Sequence, residues 1–279
     1  MPPDLRCLVN GKPFSVVDVG DRGFNYGDGI FETIAIHGGQ PLLWDAHMRR
    51  FTRGATRLNI KAPNVSVLAQ EAAILCEGTN RGILKVVLTR GRGGHGYAPI
   101  AHTEPTRILR CLPAPEYPVS HWREGVRVRV CRFRLARDPQ LAGIKHLNRL
   151  PQVMARAEWE HDYDEGLMLD DGGTVIEGTK CNVFMVRRGA LHTPDLEHAG
   201  VCGVAREYVL ERASAIGVRV AVEPLSLDTI RAADELFLTN SLIGIWPVRQ
   251  LESKTYPVGP VTQTIQKAIV DAFPVLRDI

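Results

Sequence analysis

Three prolines within six residues, Pro113, Pro115 and Pro118, divide this chain more firmly than any other feature. Proline fixes φ and removes a backbone donor, so neither a helix nor a central strand runs through such a stretch. The chain is therefore expected to fold as two parts. The first is 1–115, a Pro-rich linker covers 116–122, and the second is 123–279. With 279 residues, each part has room for a core of its own.

In the first part, apolar runs separated by Asn10-Gly11 predict a hairpin over 5–16. Residues 30–36 (IFETIAI) suit a strand, and 83–89 (ILKVVLT) is a nearly continuous apolar run, as in a buried strand. Asp45 is the expected N-cap of a helix reaching about Leu58, with Met48, Phe51, Ala55 and Leu58 on one face. Arg49, Arg50, Arg53 and Arg57 give that helix a cationic side. Either this is a solvated basic face, or one arginine turns inward to a phosphate. A second helix spans about 65–77, and Thr106–Leu112 is a further strand. Glycines at 23, 27 and 29, and the run RGRGGHGY (90–97), mark loops. The second lacks the GxxxxGK[ST] pattern of a P-loop. It is a cationic clamp for carboxylates or a plain surface loop.

The second part opens on VRVRVCRFRL (126–135). Its apolar positions change phase midway, and a β-bulge near Val130 reconciles the two halves. No stacking aromatics interleave with its arginines, which argues against RNA binding. A helix is expected from about Leu150, with Leu150, Val153, Met154 and Ala157 as its inner stripe. Strands follow at 167–169, 174–178 and 182–186. A helix runs from Val204 to about Ile216 and is closed by Gly217. Strands at 236–239 and 243–248 precede a last helix over about 260–273.

The chemistry starts from LAGIKHLNRL (141–150), where Lys145 follows an apolar lead-in. A lysine in apolar surroundings loses solvation for its ammonium, and the neutral amine is a nucleophile or base. Glu177 stands at the end of an apolar strand and needs a donor if buried. Gly200–Gly203 feeds a helix N-terminus, where unpaired N–H groups and the dipole favour an anion. Thr239-Asn240-Ser241 puts short polar side chains at a strand end.

Composition narrows the rest. A net charge of +3 is too small to argue for nucleic acid. No apolar run approaches the roughly 20 residues of a membrane span. The N-terminus lacks the charged-then-apolar pattern of a signal peptide. Six cysteines stand singly, without a CxxC pair, so no metal site is expected and a reducing cytoplasm is the simplest compartment. A desolvated lysine, a strand-end glutamate, a helix-end anion cradle and a helical arginine suit one ligand, pyridoxal 5′-phosphate (PLP). It bonds a lysine, wants a carboxylate at its ring nitrogen, and has a phosphate to hold.

The segments HMRR (47–50), AGIKHLNRL (142–150), VIEGTKCNVF (175–184), GVAR (203–206) and FLTNSLIGIWPV (237–248) together resemble the fold-type IV PLP enzymes, the class IV aminotransferase family. The resemblance extends from the first hairpin to about Val248. It implies an α+β fold: a small N-terminal α/β domain and a larger, helix-flanked β-pseudobarrel domain carrying the Schiff-base lysine, as in D-amino-acid aminotransferases. By that resemblance Lys145 is the Schiff-base lysine and proton shuttle, and Glu177 pairs with the ring nitrogen. Arg50, the Val204 and Ala205 N–H groups and the Ser241 hydroxyl hold the phosphate. The family forms homodimers with active sites near the interface.

AGIKHLNRL and TRGRGGHGY look most like aminodeoxychorismate lyase. Branched-chain aminotransferases usually carry a GGNY-type run after the lysine, where HLNR stands here. D-amino-acid aminotransferases share LN, but their carboxylate trap is an Arg-x-His, and Arg92 and His95 are spaced differently. The expected reaction is loss of pyruvate from 4-amino-4-deoxychorismate to give 4-aminobenzoate. Lys85 and Arg92 are the expected contacts to this anionic substrate. An aminotransferase acting on D- or branched-chain amino acids is the alternative.

Overall fold

The computed structural model describes residues 6–94, 96–100 and 103–277. By its contacts the chain separates into two units, Met1–Pro115 with Ile144–Asn148, and Glu116–Gly143 with Arg149–Ile279.

The first unit is built on six antiparallel strands: β1 (Cys7–Val9), β2 (Lys12–Pro13), β3 (Gly29–His37), β4 (Gln40–Pro41), β5 (Arg81–Thr89) and β6 (Thr106–Pro113), in the order β2-β1-β6-β5-β3-β4. Asn10 (φ 50°) and Gly11 (φ 81°) form the tight turn that their types predict. Its helices are α1 (Arg22–Tyr26), α2 (Trp44–Arg57) and α3 (Val65–Cys76). Side chains alternate along β3 and β5. Ile30, Ile34, Ile36, Leu84, Val86 and Leu88 point into a core with Met48, Phe51 and Ala55 of α2 and Leu68, Ala72 and Leu75 of α3. Phe31, Thr33, Lys85 and Val87 lie half-buried on the opposite face. The run 83–89 is thus a strand, but only one of its faces is fully covered. Asp45 does not cap α2. Leu43, in a left-handed conformation, is the N-cap, and Asp45 sits in the first turn. Its charge there faces the positive end of the helix dipole, which explains the acidic residue equally well.

The second unit holds α4 (Ser120–Arg123), β7 (Val126–Leu135), α5 (Leu150–Arg156), β8 (Glu165–Asp170), β9 (Thr174–Gly178), β10 (Asn182–Arg187), β11 (Ala190–Thr193), α6 (Val204–Ala215), β12 (Val220–Val222), β13 (Leu225–Ser226), α7 (Leu227–Arg231), β14 (Glu235–Asn240), β15 (Gly244–Leu251), β16 (Lys254–Thr255) and α8 (Pro260–Ala268). Its curled ten-stranded sheet runs β12-β11-β10-β14-β15-β7-β8-β9-β13, with β16 on β15. The expected irregularity in β7 is present: its register with β8 shifts between Val130 and Arg134.

Helix α5 overturns its expected orientation. Leu150, Val153 and Met154 are 67%, 60% and 49% exposed, Ala157 is exposed as well, and Ala155 is fully buried among Cys131, Trp159 and Met168. Apolar spacing marks a helix face; it does not say which face the rest of the chain covers. The last helix ends at Ala268, before the expected Phe273.

Candidate functional site

In the first unit, Lys145 lies on a short extended segment beside the start of β3. The Phe31 N–H donates to the Lys145 carbonyl and the Leu147 N–H to the Gly29 carbonyl, both at 2.9 Å. Asn148 Nδ2 donates to the Gly27 carbonyl at 3.2 Å. Gly29 has to be glycine here: a Cβ would strike the Leu88 carbonyl oxygen and come within 2.8 Å of Leu147 Cδ1. The half-buried Lys145 places its Nζ 4.7 Å from the centre of the Phe31 ring, and Lys85 places its Nζ 5.2 Å from the same centre. Two lysine side chains therefore share one aromatic ring.

Behind β3, Glu32 is 1% exposed and gathers two residues of α2. Arg50 donates to it through Nε, at 2.8 Å, and through Nη2. His47 Nδ1 lies 2.7 Å from Glu32 Oε2. Burial alone would raise the Glu32 carboxyl, but the Arg50 charge and the bonds from Arg50 and His47 outweigh it and bring the carboxyl down to about 2. Burial lowers His47 below its ordinary value against the pull of Glu32, and the charges of Arg50 and Lys145 push the same way as burial. Of the four arginines on α2, Arg50 is the one turned inward; Arg49, Arg53 and Arg57 are exposed.

The cationic loop after β5 is not an open clamp. Arg90 grips Asp28 through Nε and Nη2 and donates to the Leu58 and Asn59 carbonyls. Arg22 binds Asp28 and the Gly96 and Tyr97 carbonyls. Arg92 is 79% exposed and pairs with Asp18 at 3.4 Å. His95 lies outside the described residues.

In the second unit, Glu177 is buried at the end of β9, where its Oε2 accepts from the Val201 N–H at 2.9 Å and its Oε1 from Gln152 Nε2 at 3.2 Å. Arg149 is close enough for the Glu177 charge to act on it, although burial is the stronger effect and lowers the guanidinium below its ordinary value. Val201 belongs to the turn that leads into α6. Gly203 is the N-cap of that helix and offers no side-chain acceptor, so the first-turn N–H groups of Val204 and Ala205 keep an anion-facing arrangement. Asn182 of β10 braces the turn by donating to the Val201 carbonyl at 2.9 Å. Ser241 is half-buried in the turn between β14 and β15, where Asn240 Oδ1 accepts from the Leu242 and Ile243 N–H groups at 2.9 and 3.1 Å. Among the described residues, no group of three or more His, Cys, Asp and Glu side chains is arranged for a metal ion.

The first unit thus carries a half-buried lysine on an extended segment and a buried, carboxylate-bound arginine, and the second carries a buried glutamate bonded to donors and a helix start without a side-chain cap. The family model for amino-transferase class IV matches residues 29–251. The chain belongs to the class IV aminotransferase family. Its fold, a small α/β unit and a curled-sheet unit, is the fold-type IV architecture. It is similar to the crystal structure of 4-amino-4-deoxychorismate lyase from Pseudomonas aeruginosa, at 46% identity and a TM-score of 0.92, covering 96% of this chain and 99% of that one. An aminodeoxychorismate lyase of Vibrio harveyi is 37% identical over 264 residues, 92% of this chain and 97% of the relative. The branched-chain amino acid aminotransferase of Escherichia coli is 25% identical with a TM-score of 0.84, covering 96% and 94%.

Three participants were not singled out from the sequence: Glu32, Gln152 and Asn182. Glu32 carried a usable signal, a lone carboxylate inside the apolar strand IFETIAI followed by His and Arg three residues apart on the next helix. Gln152 and Asn182 carried none, because their partners Glu177 and Val201 are distant in sequence.

Proposed function

We propose that this chain is a PLP-dependent 4-amino-4-deoxychorismate lyase that releases pyruvate and leaves 4-aminobenzoate, a folate precursor. The observation that carries this is the similarity to lyases at 46% and 37% identity over more than nine-tenths of the chain. The residues fit the cofactor in chemical kind: an amine, a carboxylate already bonded to donors, a buried guanidinium, and helix-start N–H groups without a side-chain cap.

In this proposal Lys145 holds the cofactor at rest. Glu177 pairs with the ring nitrogen. Arg50, the Val204 and Ala205 N–H groups and the Ser241 hydroxyl hold the phosphate. When bound, the cofactor supplies an electron sink. The freed Lys145 amine takes the proton from ring carbon C4. The Val201 N–H and Gln152 keep the Glu177 carboxylate oriented. Loss of that proton and cleavage of the ether carbon–oxygen bond leave an aromatic ring, and the departing enolpyruvyl group takes up one proton to become pyruvate. The substrate carries two carboxylates, which suits Lys85 beside Lys145; Arg92, paired with Asp18, is the outer candidate. We place the enzyme in the cytoplasm as a homodimer, with 1–115 as the small domain, 116–122 as the linker and 123–279 as the larger domain. Six free thiols suit a reducing compartment.

The deciding assay supplies 4-amino-4-deoxychorismate without any 2-oxoacid. Pyruvate and 4-aminobenzoate should appear in equal amounts. If neither forms, and amino groups move only when a 2-oxoacid is added, the chain is an aminotransferase like its 25% identical neighbour. Lys145→Ala should abolish both products and the yellow colour of the bound cofactor.

A further inference from the structure

The Glu32–His47–Arg50 cluster contains more than an ion pair needs. One carboxylate balances the charge of a buried arginine, yet this carboxylate also engages a fully buried histidine, which is costly to desolvate. His47 and Arg50 are three residues apart on α2, so they share a helix face, and both converge on one side chain of β3. Glu32 is ionised and can only accept, so the His47 proton sits on Nδ1. His47 Nε2 is buried without a hydrogen-bond partner among the described residues. The imidazole is thus a neutral brace on Oε2, the same oxygen that Arg50 Nη2 grips.

The guanidinium is held by its Nε–Nη2 edge. A planar fork gripped along one edge has no freedom to rotate about its long axis, so its remaining N–H vectors take one direction. A carboxylate beside a phosphate-binding arginine cancels its net charge. What Glu32 contributes is therefore direction, and an oriented donor set needs no reorganisation when its ligand arrives. We infer that Glu32, braced by His47, is the positioning residue of the phosphate site, fixing the direction in which Arg50 presents its donors. This inference rests on the PLP reading above and deepens it.

Glutamine at position 32 keeps the shape of glutamate but offers one acceptor oxygen and one donor nitrogen. It cannot accept from both the Arg50 edge and His47 Nδ1–H. The full-length chain is titrated with PLP and, separately, with pyridoxal, which lacks the phosphate; the ratio of the two affinities isolates the phosphate contribution. For Glu32→Gln the expected ratio is about tenfold lower than for the wild type, the worth of one charge-assisted hydrogen bond, with pyridoxal binding unchanged. The phosphorus resonance of bound PLP should shift as well. Glu32→Asp keeps the charge, withdraws it by one methylene, and should lower the ratio by a smaller factor. His47→Asn removes the brace but leaves the ion pair, moves the ratio the same way, and decides the matter if neither variant at 32 folds. Variants that melt earlier but keep the wild-type ratio and phosphorus resonance would overturn the inference, leaving Glu32 a purely structural anchor. A wild type that does not prefer PLP over pyridoxal is a different failure: it removes the phosphate role of Arg50 itself, and the inference with it.

Discussion

At the scale of single residues, Glu32 also predicts how the chain responds to acid. Its folded-state value of about 2 lies below the ordinary 4.5. A carboxyl depressed on folding contributes stability that is fully present above its unfolded value and is lost as pH falls through its folded value. The window is therefore pH 4.5 down to about 2, and the contribution above it is roughly 3 kcal/mol. Urea unfolding at pH 6 and pH 3 should show the wild type losing more stability than Glu32→Gln between the two. Equal losses would mean that Arg50 and His47 do not hold the carboxylate ionised. Arg50 was within reach of the sequence only through the resemblance of HMRR to a family pattern, because the four arginines by themselves suit a solvated basic face equally well. Its partner Glu32 is in phase with core-facing Ile30, Ile34 and Ile36, so the alternation of β3 turns it toward α2; a strand glutamate is ordinarily exposed, and only the pairing with His47 and Arg50 makes the inward position tolerable.

Among the elements, α6 shows how a glycine pair frames a helix. Gly203 has ordinary negative φ, so the reason for glycine there is space: a Cβ would collide with Asn182 Oδ1. Gly203→Ala has to displace Asn182 from the Val201 carbonyl and with it the turn that supplies the Val201 N–H to Glu177. We expect a stability loss of about 1–3 kcal/mol and weakened PLP binding, read by calorimetry and absorbance titration. Gly217, past the other end of the helix at φ 81°, meets nothing within 4 Å, so Gly217→Asn should leave both nearly unchanged. If the two variants behave alike, the turn before α6 is not a constrained cradle. Both glycines were legible because helix ends follow local chemistry. The bulge in β7 was legible too, since a phase slip in an alternating strand has only one simple remedy. The short strands β11, β12, β13 and β16 were not, because two to four residues carry too little periodicity to register.

For the whole molecule, Ile144–Asn148 packs with the first unit although it is embedded in the sequence of the second. No local pattern announces this, because the bonds that hold Lys145 are to Gly29 and Phe31, more than 100 residues away. The outward face of α5 has a similar origin. Leu150, Val153 and Met154 form an apolar stripe that the chain itself leaves exposed, and an exposed apolar stripe on a folded chain ordinarily meets a partner. In a homodimer the partner is a second copy, and the stripe then obeys the burial rule that misplaced it in the sequence. Replacing Leu150 and Val153 together by lysine puts charge on that face without touching buried Ala155. By sedimentation velocity, the wild type should run at twice 30.9 kDa and the double variant at 30.9 kDa with an unchanged circular dichroism spectrum. A double variant that stays dimeric would move the interface away from α5; a monomeric wild type would remove the dimer altogether.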